Sequence, residues 1–135
     1  DGTAWVRVAE SGPSGRTLAA FAYDAALRKV VMFGGSGASD GSGPPPPSAT
    51  FGDTWEWDGR QWTEVGGDAP PARDHVTMDF DAARNGLVLI GGYAPGSGQL
   101  GDVWQRVGSR WSRVTAANTP ALAGHRVIFD TKASR

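Results

Sequence analysis

The chain has 135 residues, and 13 Lys+Arg against 14 Asp+Glu leave a formal net charge of −1. One ordinary domain fits this length and two do not, and a polybasic nucleic-acid or membrane-surface binder would need a basic excess that is missing. The longest apolar runs, 30–33 and 87–90, fall far short of the ~20 residues of a spanning helix, and the absence of Cys removes disulfides, thiolate metal sites and a Cys nucleophile. Gly 20 and Pro 9 make up about a fifth of the chain, six Trp accompany them, and the apolar content still suffices for a core. Gly/Pro punctuation between short β-rich runs points to an all-β protein.

In chain order the elements repeat. Arg16, Tyr23-Asp24 and Gly34-Gly35 recur 57 residues later as Arg73, Phe80-Asp81 and Gly91-Gly92. Gly52-Asp53, Trp55, Gly59 and Trp62 recur 49 residues later as Gly101-Asp102, Trp104, Gly108 and Trp111. Self-similarity at this period is the signature of a repeat architecture. Each repeat reads as four strands. Strand A covers 17–23, 74–80 and 123–129. Strand B covers 30–34 and 87–91, and strand C covers 53–57 and 102–106. Strand D covers 61–65 and 110–114, with an early copy at 5–8. Asp58-Gly59 between C and D predicts a two-residue type I′ hairpin, because that turn needs positive φ. Residues 24–29 and 81–86 read as short A–B hairpin loops.

These residues resemble a kelch motif: an Arg before strand A (Arg16, Arg73), an apolar run ending in Gly-Gly (Gly34-Gly35, Gly91-Gly92), an Asp opening strand C (Asp53, Asp102) and a Trp in strand D (Trp62, Trp111). The likeness covers nearly the whole chain. Its flavour is that of kelch proteins from bacteria with GC-rich genomes, many of them exported, which implies an extracellular or periplasmic setting. The departures are Leu122 where a third Arg is due, and Arg106 where the first repeat has Trp57. The resemblance implies a fragment of a kelch-type β-propeller: two four-stranded antiparallel blades at 16–65 and 73–114. One strand of each flanking blade is implied at 1–8 and 123–135. The remaining blades of the same propeller are then its first partners. Blades bury both faces, so inner strands are apolar almost throughout and the Trp residues are expected as packing.

Strand alternation sends the B–C and D–A loops to one end of the blades, and loops on a rigid scaffold carry function. That end is the expected binding face, with Arg16, Arg73, Asp40, Tyr93 and Asp74 as candidate binding residues. Asp40 and the prolines 44–47 lie in its longest loop; the prolines read as a stiff spacer. The two arginines suit a carboxylate ligand, or else an ion pair or backbone contacts between blades, with Asp74 and Asp79 as the expected local partners. His75 and His125 are expected to be packed or hydrogen-bonded between blades. No nucleophile motif, phosphate loop or metal-ligand spacing is present, so no catalytic residue, metal or cofactor is expected. The function this favours is a non-catalytic binding or scaffold module offering its loops to a protein or glycan partner, with no nucleic acid and no membrane span. The alternative implied by the resemblance is a carbohydrate-active propeller enzyme of the sialic-acid-mutarotase or galactose-oxidase kind, with active residues partly outside this chain.

Overall fold

The computed structural model describes residues 2–37, 50–115, 119–130 and 132. They form an all-β structure with no helix, so among them no helix is long and apolar enough to cross a membrane. Among the described residues there are twelve strands. The first sheet joins β2 (Ala20–Asp24), β3 (Lys29–Phe33), β5 (Thr54–Trp57) and β6 (Trp62–Val65) as an antiparallel meander. The second joins β7 (Thr77–Asp81), β8 (Gly86–Ile90), β11 (Val103–Val107) and β12 (Arg110–Val114) in the same way. Two short pairs lie outside them: β1 (Arg16–Thr17) with β4 (Ser36–Gly37), and β9 (Tyr93–Ala94) with β10 (Gly98–Gln99).

The strand order is that of the sequence repeat, and the turns explain why. In the first A–B loop Asp24 Oδ1 accepts the backbone N–H of Ala26 and Leu27, each at 3.0 Å. Arg28 then takes a left-handed φ of 57°. In the second, Asp81 caps Arg84 N–H at 3.0 Å and Asn85 takes φ 52°. A short Asp side chain mimics a turn of backbone and so nucleates each hairpin. The first C–D turn differs from its expectation. Trp57 pairs Trp62, so four residues intervene; Asp58 Oδ1 accepts Arg60 N–H and Gln61 N–H, and of the Asp58-Gly59 pair only Gly59 has positive φ. The type I′ turn is displaced because the Asp side chain, bonded to the following amides, supplies the closure. The second copy is the tight one. Val107 pairs Arg110 across Gly108-Ser109, with Gly108 at φ 58° in the first central position, as type II′ requires.

Residues 5–8 and 123–129, read as strands, carry no ladder among the described residues. Trp5 is fully exposed. A strand needs a neighbour for its N–H and C=O groups, and neither segment pairs with one among the described residues. Residues 127–129 instead lie on the face of β7: Val127 N–H donates to Thr77 Oγ1 at 3.0 Å and Phe129 N–H to Asp79 Oδ2 at 2.6 Å.

The core lies between the two sheets. Period-2 alternation gives each sheet two faces. The first sheet presents Ala20, Val31, Phe33, Thr54 and Glu56 on what we call its front. The second meets them with Met78, Leu87, Leu89, Arg106 and Trp111 on its back. By the repeat, the front of the first sheet corresponds to Thr77, Asp79, Val88, Ile90, Val103 and Gln105 of the second. The back of the second corresponds to Phe21, Tyr23, Val30, Met32, Trp55 and Trp57 of the first. The sheets therefore stack front to back. Phe33 and Trp111 form the centre of the contact, ring centroids 5.6 Å apart and edge-on, while Trp111 Nε1 donates to Thr54 Oγ1 at 3.1 Å. Phe33 is completely buried. Phe33→Ala should destabilise the protein by about 3–5 kcal/mol, read as a shift in the urea midpoint; a loss below about 1 kcal/mol would place the centre of the core elsewhere.

Candidate functional site at the loop end

The B–C and D–A segments come together at one end of the sheets through main-chain hydrogen bonds. Gly34 N–H donates to Asp53 O at 3.2 Å and Gly35 N–H to Arg73 O at 2.9 Å, while Arg73 N–H donates to Phe51 O at 3.0 Å. The second repeat copies this. Gly91 donates to Asp102 O at 3.0 Å, Gly92 to Leu122 O at 2.8 Å, and Leu122 to Leu100 O at 3.0 Å. The glycine pairs are dictated by this closeness: a Cβ at Gly34 would lie 2.5 Å from Arg73 O, and one at Gly91 equally close to Leu122 O.

Both candidate arginines are turned inward. Arg73 is fully buried. Its Nη1 and Nη2 reach Asp102 Oδ1 and Oδ2 at 2.5 and 2.9 Å, Nη1 also donates to Gly91 O at 3.0 Å, and Nε donates to Pro71 O at 3.0 Å. Arg16 repeats the fork with Asp53 at 2.5 and 3.0 Å, adds Gly34 O and Ser14, and lies 3.9 Å over the Phe51 ring. Each Asp takes a further bond at 2.7 Å from an indole, Trp55 Nε1 on Asp53 and Trp104 Nε1 on Asp102. The Arg, Asp and Trp of each repeat are thus one clamp tying the start of strand A to the start of strand C. The expected ion-pair partners, Asp74 and Asp79, are not the ones used. The planar fork finds two parallel acceptors in the Asp that opens strand C, 37 and 29 residues away along the chain, a distance at which local spacing carries no signal.

Burial opposes ionisation of Asp53 and Asp102 more than any other single influence, yet the Arg and Trp hydrogen bonds and the Arg charge together outweigh it. Both carboxyls are held below their ordinary 3.8. A carboxyl with a depressed folded-state pKa contributes stability that is present above its unfolded value and lost as pH falls through the folded one. Stability should therefore hold from neutral pH down to about 5 and fall as acidity passes below about pH 4. Asp102→Asn should cost about 3 kcal/mol at neutral pH by stranding a buried cation, and should flatten that acid limb. Equilibrium unfolding across pH checks both, and an unchanged acid limb in the variant would contradict the account.

The remaining candidates sit beside the clamp. Asp74 and Tyr93 exchange main-chain bonds, Asp74 N–H to Tyr93 O at 3.0 Å and Tyr93 N–H to Asp74 O at 2.8 Å, and the Tyr93 side chain is exposed. Asp74 Oδ1 lies 2.8 Å from His75 Nδ1, and the imidazole is about half exposed. Asp40, with 38–49 as a whole and hence the proline run, lies outside the described residues. The structure thus gathers Arg73, Asp74 and Tyr93 in one patch, and puts Arg16 at the equivalent place one repeat earlier. Both ring nitrogens of His125 are shielded from solvent and meet no partner among the described residues. Among those residues no three His, Cys, Asp or Glu side chains gather as a metal site would require.

Sequence reading did not single out position 75 as strained. Leu18, His75 and Gly124 are repeat equivalents, and all three are left-handed, at φ 60°, 50° and 72°. The glycine of the third copy was the available signal. A β-carbon costs about 1–2 kcal/mol in this conformation, against about 0.5–1 kcal/mol of extra chain entropy lost by glycine on folding. Leu18→Gly should accordingly raise stability by about 0.5–1 kcal/mol. His75→Gly should gain less, since it surrenders the bond to Asp74. Thermal unfolding of the two variants measures the difference, and a destabilised Leu18→Gly would mean that the leucine is held by packing. No family model matches the chain, and no curated protein does.

Proposed function

We propose that the chain is part of a kelch-type β-propeller and acts as a non-catalytic binding module, offering its B–C and D–A loops to a protein or glycan partner outside the cell. The observation that carries this reading is the front-to-back stack of two sheets related by the sequence repeat. Such a stack leaves the front of the second sheet and the back of the first available to further sheets of the same kind, the arrangement by which propeller blades are built. The front of the second sheet supports it. Residues 127–129 already lie there, and with Val88, Ile90, Val103 and Val114 they line an apolar groove of about 320 Å³. The back of the first exposes Phe21 and Tyr23.

The binding role rests on the division of labour at the loop end. Arg16 and Arg73 are consumed by Asp53 and Asp102, while Tyr93 and His75, the latter held by the buried Asp74, are exposed on a backbone fastened by paired main-chain bonds. An exposed aromatic beside a hydrogen-bonding imidazole suits the apolar face and hydroxyls of a sugar, or a peptide. The labelled chain applied to a glycan array and a peptide array should give hits that weaken at least tenfold in Tyr93→Ala. Arg60→Ala, at the opposite end of the sheets, should leave them unchanged. Hits that respond to Arg60 and ignore Tyr93 would put recognition at the other end and overturn the proposal.

A further inference from the structure

The two repeats differ at a pair of positions that face each other in the stack. Glu56 on the front of the first sheet is Gln105 in the second, and Arg106 on the back of the second is Trp57 in the first. Glu56 and Arg106 meet: Arg106 Nη2 donates to Glu56 Oε1, with the two side chains 0% and 5% exposed. Lys29, the first residue of β3, donates from Nζ to Glu56 Oε2 at 2.6 Å. Arg106 Nε and Nη1 find no acceptor among the described residues, so this guanidinium depends on Glu56. On the back of the first sheet Trp57 instead packs at a tilt against Trp62, centroids 5.5 Å apart.

We propose that the Glu56–Arg106 pair determines specificity between sheets: it marks the front of the first as the partner of the back of the second, and rejects association of like sheets from separate copies. The inference stands apart from the propeller reading, since it needs only the observed stack. Every repeat of this kind carries the same two apolar faces, and apolar contact does not tell them apart. Charge does. A second sheet stacked on another second sheet would bury Arg106 against Gln105, leaving a cation without a carboxylate. A first sheet on another first sheet would set Glu56 against Trp57, leaving it Lys29 alone. An unpaired buried charge is far more costly than a neutral mismatch, which is the means by which specificity against wrong partners is usually built. The one neutral mispairing, the back of a first sheet on the front of a second, meets residues 127–129 already bonded to Thr77 and Asp79.

Four proteins test this: the parent chain, Glu56→Gln, Arg106→Trp, and the double variant, which carries at the inner contact the neutral pair found on the outer faces. Glu56→Gln should raise the unfolding equilibrium constant about a hundredfold or more. The double variant should recover most of that loss. In sedimentation velocity the parent chain should stay monomeric, whereas the folded double variant should self-associate at least tenfold more tightly. Additive single effects, or a double variant as monomeric as the parent, would overturn the proposal. So would a double variant that fails to fold, because the pair would then be needed for the stack itself and not for the choice of partner.

Discussion

Arg73 is held by both halves of the molecule at once. Its main chain belongs to the first repeat, pinned between Gly35 N–H and Phe51 O, and its side chain belongs to the second, forked onto Asp102 and Gly91 O. Neither set of bonds can be exchanged for water without cost, since the guanidinium is wholly buried and an orphaned buried charge is strongly destabilising. The position of the second sheet against the first follows from this pin. β7 begins four residues beyond Arg73, and its Met78 enters the core beside Val76. Leu122 shows what the main-chain half does alone. It keeps the same two backbone bonds with no guanidinium beside them, and the segment after it forms no ladder with another strand among the described residues.

The contact between the sheets is polar where a simple apolar sandwich would not be. Thr54, Glu56 and Arg106 are buried among Phe33, Leu87 and Trp111. Burying such groups gains little stability over well-packed hydrocarbon, so their effect is on which arrangement forms. The consequence for function is indirect. Charges that look available in the sequence are spent inside the fold, on the clamps and on the inter-sheet pair. Beside the clamp of the second repeat, Tyr93 and His75 stay exposed, with the buried Asp74 carboxylate holding the imidazole.

The β class, the two repeats and the strand order within each were legible because period-2 patterning and turn residues are local, and the repeats reinforce each other. Gly-Gly at 34–35 and 91–92 was legible as strand-end geometry, though the atom each glycine must avoid, the next repeat's carbonyl, was not. The partners of Arg16 and Arg73 were missed because they lie 37 and 29 residues away, while the expected local acids, Asp74 and Asp79, bond to His75 and to the main chain of Phe80 and Phe129. The role of Arg106 was visible only as a departure from Trp57, since the residue it answers, Glu56, lies on the other sheet. The first C–D turn was misjudged because the Asp side chain closes it in place of a second left-handed residue.

Local and periodic information therefore settled the elements: which residues make strands, in what order they pair, and where the chain must turn with positive φ. Tertiary structure decided everything that depends on two distant segments sharing one space. It chose which Asp each Arg meets, which face of each sheet is buried, and which polar groups remain exposed at the loop end. The physical reason is range. Backbone dihedrals and side-chain alternation are set within a few residues, whereas a buried charge takes whatever partner the packing brings within hydrogen-bond distance.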